Sequence, residues 1–204
     1  MYVDETVLKF MTSREYESTL LVNETVEASI VFIDICSFTT ISESEPADVV
    51  VGLLNKYFDV MVKEIIAQGG YIDKFIGDAV LAIFRGDYHL DRAIEASLNV
   101  RSQIENLPKE SHNSIFSPKV SIGINSGDVI SGNIGSANLK RLDYTVVGDV
   151  VNVAQRLQSA AKEGQILITE ASYQKVKEFF ECKEIGSMQL KNKRDPIITY
   201  EVIK

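Results

Sequence analysis

The chain has 204 residues, 45% hydrophobic and 25% charged, which is the balance of a globular domain long enough to bury its own core. Its formal charge of −8 argues against nucleic acid as a partner, because that affinity rests on Lys and Arg neutralising phosphates. Two cysteines without paired spacing exclude a disulfide framework and a cysteine zinc site, and suit a reducing, cytoplasmic setting.

Residues 1–27 read as an N-terminal helix and linker. Val3, Val7, Leu8 and Met11 fall at helical spacing, and a polar stretch runs to Glu27. The first residues lack the basic and apolar regions of a signal peptide. The longest apolar run is far short of the ~18 residues that span a bilayer, so no membrane segment is expected. The second unit, 28–204, opens with an apolar strand over Ile30–Ile35. Pro46 marks a helix start, and Val49–Ala67 has helical periodicity ending at Gly69-Gly70. Tyr71–Phe75 and Val80–Phe84 read as a hairpin turning at Ile76-Gly77-Asp78. A helix over Asp91–Leu107 follows, closed by Pro108. Val120–Asn125 and Asp128–Asn133 read as two strands, with Gly127 and Gly132 marking bends. Tyr144–Val147 is a strand, Asp149–Ala161 a helix and Gln165–Thr169 a strand. A short helix to Glu178 and two late strands complete the chain. The order strand–helix–hairpin–helix–strand predicts an α+β fold with a ferredoxin-like βαββαβ core and appended strands and helices.

Two carboxylates stand out. Asp34 ends the first strand and Asp78 lies in the hairpin turn, so a βαββ sheet brings them to one edge. A charge at a buried strand end is costly unless a cation or hydrogen bonds compensate it. Two convergent carboxylates suit Mg²⁺, which takes one or two of them plus substrate phosphates. The plain alternative makes Asp34 the cap of a helix beginning near Ser37, and Asp78 a turn residue. The turn from strand to helix at Ile35–Thr39 leaves free backbone N–H groups, a natural phosphate cradle. Further on, Asn152 and Arg156 are four apart and share one helix face, while Val153, Leu157 and Ala160 lie on another and read as core. That polar face is either a clamp for ribose and phosphate or an ordinary solvated surface.

Three long segments, in this order, resemble the class III nucleotidyl cyclase catalytic domain: FIDICSFT at 32–39, DKFIGDAVLAIF at 73–84 and DYTVVGDVVNVAQRL at 143–157. The segment GINSGDVISGNIGS at 123–136 also fits. The resemblance runs from Ala28 to Val202 and is to the bacterial adenylate cyclases in particular. It implies conversion of ATP to 3′,5′-cyclic AMP and pyrophosphate with two divalent cations, Mg²⁺ or Mn²⁺. By resemblance Asp34, Asp78 and the Ile35 carbonyl hold the metals, and backbone groups of Phe38 and Thr39 hold the β- and γ-phosphates. Asn152 orients the ribose, and Arg156 stabilises charge on the α-phosphate.

Lys74 and Thr145 occupy the family's base-reading positions. Lys donates and suits adenine N1; the Thr hydroxyl can accept from N6. Guanylate cyclases place Glu where this chain has Lys74. Thr145 belongs to a subgroup often stimulated by bicarbonate. The family also places phosphate-binding cations near 140–141 and 191–194, and Arg141 and Lys193 are the expected ones. It builds its site between two domains, one supplying the Asp pair and the other the Lys, Thr, Asn and Arg set. Both sets are present here, which implies a homodimer with two equivalent sites, regulated by an upstream sensor acting through 1–27. The rival readings are a guanylate cyclase and a non-catalytic, nucleotide-sensing module.

Overall fold

The computed structural model describes residues 23–107, 119–136, 141–189 and 195–204. Strand β1 (Glu24–Ile35) runs through the middle of the sheet, as its apolar stretch requires. It starts ahead of the expected Ile30, because Glu24–Glu27 pair with Ser131–Asp128. The helix expected around Val3–Met11 lies outside the described residues. A short helix α1 (Phe38–Ser44) leads into α2 (Ala47–Ala67), which begins after Pro46. The hairpin β2 (Tyr71–Ile76) and β3 (Ala79–Arg85) turns at Gly77, whose φ of +62° is the left-handed conformation that favours glycine.

Helix α3 (His89–Glu105) precedes β4 (Val120–Ser136). The two strands expected over 120–133 are one strand of 17 residues. Its pairing passes from β1 to β5 (Arg141–Val147) without a break, so neither Gly127 nor Gly132 ends it. Helix α4 (Asp149–Ala160), β6 (Ile166–Thr169), α5 (Glu170–Val176), β7 (Cys182–Met188) and β8 (Ile197–Val202) follow.

The sheet order is β2-β3-β1-β4-β6-β8-β7, with β5 on β4. The first four strands pair antiparallel with one another and form the ferredoxin-like βαββαβ core; the parallel β4–β6 pairing attaches the strands from β6 on. Alternation along β1 gives the sheet two apolar faces. Val31, Ile33 and Ile35 pack with Tyr57, Met61 and Ile65 of α2 and with α3. Ile30 and Phe32 face the other way, with Leu81 and Ile83, under Val146 of β5 and Ala154 of α4. Helix α4 lies close on β4 because Gly123 has no side chain; a Cβ there would overlap the backbone of Ala154 and Gln158. Among the described residues no helix is long and apolar enough to cross a membrane.

Candidate active site

Asp34 lies on the same face of β1 as Ile30 and Phe32, opposite Ala79 in the pairing with β3. Asp78 is the turn residue just before Ala79, so the hairpin brings the two carboxylates together. Burial first, and then the charge of Asp78, push the Asp34 carboxyl from 3.8 up to about 6. Helix α1 has no side-chain cap, which removes Asp34 from the capping role. Among the described residues no group of three or more His, Cys, Asp or Glu is placed to hold a metal ion. A pair of carboxylates nonetheless fits a hard cation that completes its shell with phosphate and water oxygens. The structure thus holds the donors for a divalent ion, with Ile35 buried next to them.

The chain then turns through Cys36 and Ser37. Ser37 has φ 62°, unusual for a residue with a side chain, and this sharp turn starts α1 at Phe38 directly after the strand. With no side-chain cap, the first N–H groups of α1 have no such partner, and Thr39 is exposed beside them.

A second cluster forms where β5 crosses the open sheet face toward β2. Val146 packs into the core there, and the adjacent Thr145 meets Asp73 and Lys74 of β2. Lys74 Nζ donates to Thr145 Oγ1 at 3.1 Å, although the two are 71 positions apart. Thr145 Oγ1 in turn donates to Asp73 Oδ2 at 2.8 Å, and Lys74 Nζ lies 3.1 Å from the same oxygen. Asp73 was not among the expected site residues. In a regular strand it would point away from its neighbour Lys74. The β2–β3 pairing shifts between Ile72 and Lys74, leaving Asp73 as an extra residue, and such a bulge re-aims side chains. Its sequence signals are its place at the head of the segment 73–84 and an acidic residue in an otherwise largely apolar strand.

Asn152 is exposed and Arg156 half-exposed on α4, while Val153, Ala154 and Leu157 hold the helix to the core. Ala160, expected in the core, is exposed; Ala154 takes its place because α4 meets β4 at Gly123. Asn125 anchors the first turn by donating to the Val150 carbonyl at 3.3 Å. The backbone of Arg141 opens β5, opposite Ser136. Lys193 lies outside the described residues.

Residues 21–204 match the family described as the adenylate and guanylate cyclase catalytic domain. The chain is 35% identical over 184 residues to an adenylate cyclase of Anabaena cylindrica, an alignment covering 85% of this chain and 36% of that protein. It spans 26–27% of the length of three mycobacterial relatives at 38% identity. The adenylyl cyclase CyaB from P. aeruginosa superposes with a TM-score of 0.83 at 32% identity, over 90% of this chain and 97% of that one. The guanylate cyclase domain of RhGC from Catenaria anguillulae, in complex with GTP, gives 0.79 at 29% identity, over 88% and 98%. Backbone similarity therefore barely separates the two nucleotide preferences, and side chains have to decide.

Proposed function

This chain belongs to the family of adenylate and guanylate cyclase catalytic domains, and from that premise we propose that it converts ATP to 3′,5′-cyclic AMP and pyrophosphate as a homodimer. The observation that carries the choice of base is the Lys74–Thr145–Asp73 cluster. Lys74 has three N–H donors; one goes to Thr145 and one toward Asp73, which leaves one. The Thr145 hydroxyl donates to Asp73 and accepts from Lys74, which leaves one lone pair. One donor beside one acceptor complements adenine, whose N1 accepts and whose N6 amine donates. Guanine presents the reverse at those two positions.

In the reaction the ribose 3′-oxygen bonds to the α-phosphorus, the bond to the β-phosphate bridging oxygen breaks, and pyrophosphate leaves. The 3′-hydroxyl proton is released. Asp34, Asp78 and the Ile35 carbonyl are the ligands for two divalent ions, which when bound would acidify the 3′-hydroxyl and neutralise the triphosphate. The N–H groups of Phe38 and Thr39 receive the β- and γ-phosphates. Asn152 orients the ribose, and Arg156 holds charge growing on the α-phosphate. Arg141 and Lys193 are the remaining triphosphate cations.

Two features support the homodimer. Burial, and then Asp78, act on Asp34, and among the described residues no cation of its own chain offsets that charge. Strands β2 and β5, which carry the base-reading cluster, and β4 between them in chain order also expose Phe75, Ile76, Ile130, Ile134, Tyr144 and Val147, apolar side chains suited to a second copy. Free thiols at Cys36 and Cys182 accord with a cytoplasmic setting. The resemblance at Thr145 supports stimulation by bicarbonate, and unchanged turnover on adding bicarbonate at fixed pH removes that reading.

The deciding experiment measures product from ATP and from GTP, with Mg²⁺ and with Mn²⁺, over a range of protein concentrations. Cyclic AMP from ATP, with specific activity rising with concentration, is the expected result. Product from GTP alone overturns the reading of Lys74 and Thr145, and no product from either nucleotide favours a non-catalytic sensor.

A further inference from the structure

Asp73 is a carboxylate that the folded chain retains at a cost. Its side chain is 1% exposed, and its Oδ1 is buried with no hydrogen-bond partner among the described residues. An unpaired buried polar oxygen is rare in native proteins and weakens the case that the residue is present for stability. What its other oxygen does is specific. It accepts a hydrogen bond from the Thr145 hydroxyl, and it sits beside Lys74. A free hydroxyl rotates and can present either its hydrogen or a lone pair to a ligand. A hydroxyl whose hydrogen is committed to a carboxylate presents lone pairs alone.

We propose that Asp73 is a specificity-determining positioning residue, which holds the Thr145 hydroxyl as an acceptor toward the purine and so selects a 6-amino over a 6-oxo base. The assignment rests on the adenylate cyclase reading and deepens it. Asp73 acts through Thr145 and Lys74. The β2 bulge makes this geometry available, since it allows Asp73 and Lys74, adjacent in sequence, to serve the same hydroxyl. Without Asp73 the hydroxyl is free to donate to a 6-oxo group, and the ammonium of Lys74 loses its anchor and can do the same.

The test compares ATP with inosine triphosphate, which differs at the six position and in the N1 proton, through the ratio of their kcat/KM values. In the wild-type chain ATP is favoured. Asp73→Ala lowers that ratio by about tenfold or more, chiefly by raising KM for ATP and lowering it for inosine triphosphate. Asp73→Asn keeps an oxygen acceptor in place and retains most of the preference. In a Thr145→Val background Asp73→Ala lowers the ratio by less than it does in the wild-type chain, because only the route through Lys74 remains. Asp73→Leu, a near-isostere without an acceptor, carries the same expectation if the alanine variant does not fold. Equal losses with both nucleotides, leaving the ratio unchanged, overturn the assignment while the cyclase reading stands. A wild-type chain that makes no cyclic AMP overturns the reading itself, and the assignment with it.

Discussion

Two acidic groups lie two strands apart in this sheet, Asp73 buried on β2 and Asp34 half-buried on β1 with β3 between them, and their surroundings differ in one respect. Asp73 is met from within the chain: Lys74 lies 3.1 Å away and Thr145 donates to it at 2.8 Å. Asp34 is met by burial and by a second negative charge, Asp78, and its carboxyl rises to about 6. One charge is neutralised by folding and the other is left for something outside the chain. A cluster held together by its own hydrogen bonds is preorganised, so it can discriminate between ligands without rearranging. An uncompensated carboxylate pair costs folding stability and gains it back when cations bind. The contrast matches the division of labour proposed above, base reading at one end and phosphate chemistry at the other.

The largest effect is expected at the uncompensated end. Asp34→Ala or Asp78→Ala lowers cyclic AMP formation by about a thousandfold or more, with secondary structure unchanged by circular dichroism. Activity within about tenfold of wild type breaks the comparison, because the pair would then be structural. Arg156→Ala lowers kcat by about 10²–10³-fold. Mixing the Asp34→Ala and Arg156→Ala chains is expected to recover about a quarter of wild-type activity, since a mixed dimer keeps one whole site. No recovery removes the shared-site arrangement.

A smaller effect is expected in stability, measured in chelator. A carboxyl whose folded pKa is raised loses stability as pH climbs from 3.8 through about 6. Asp34→Asn is therefore expected to raise Tm by a few degrees above pH 6, the gain fading toward pH 4, while abolishing turnover. An equal Tm at every pH means that burial does not penalise Asp34.

The smallest effect is a control away from both ends. His89 bonds Ser29 at 2.8 Å, and burial depresses its pKa below 6.5 against the opposing influence of Glu27, with Lys175, Arg92 and Asp91 also acting on it. A depressed His contributes stability above 6.5 that is lost as pH falls through its folded value. Between pH 7.5 and 5.5 the wild type is expected to lose a degree or two more in Tm than His89→Gln. A larger loss in the variant sinks this account of His89.

Much of the fold was legible because its signals are local. The apolar run of β1, the hairpin at Gly77 and the periodicity of α2 each state their own element. Where pairing partners decide, the sequence misled: β4 reads as two strands because of its glycines, yet β1 and β5 in succession hold it as one. Ala160 reads as core but is exposed, and Ala154 is buried instead by the close approach at Gly123.

The candidate site divides in the same way. Asp34, Asp78, Lys74 and Thr145 could be named from residue type and from motifs of a dozen residues or so. That Lys74 and Thr145 touch was not visible in a chain that separates them by 71 positions, since it needs β5 to fold across the sheet. The part played by Asp73 needed more again, a bulge of one residue that turns its side chain toward its neighbour's partner. The sequence by itself determined the apolar periodicities, the turn glycines and the presence of each chemical group. Only the tertiary structure decided which groups meet and which charge is left uncompensated, because register, bulges and burial arise from contacts between segments far apart in the chain.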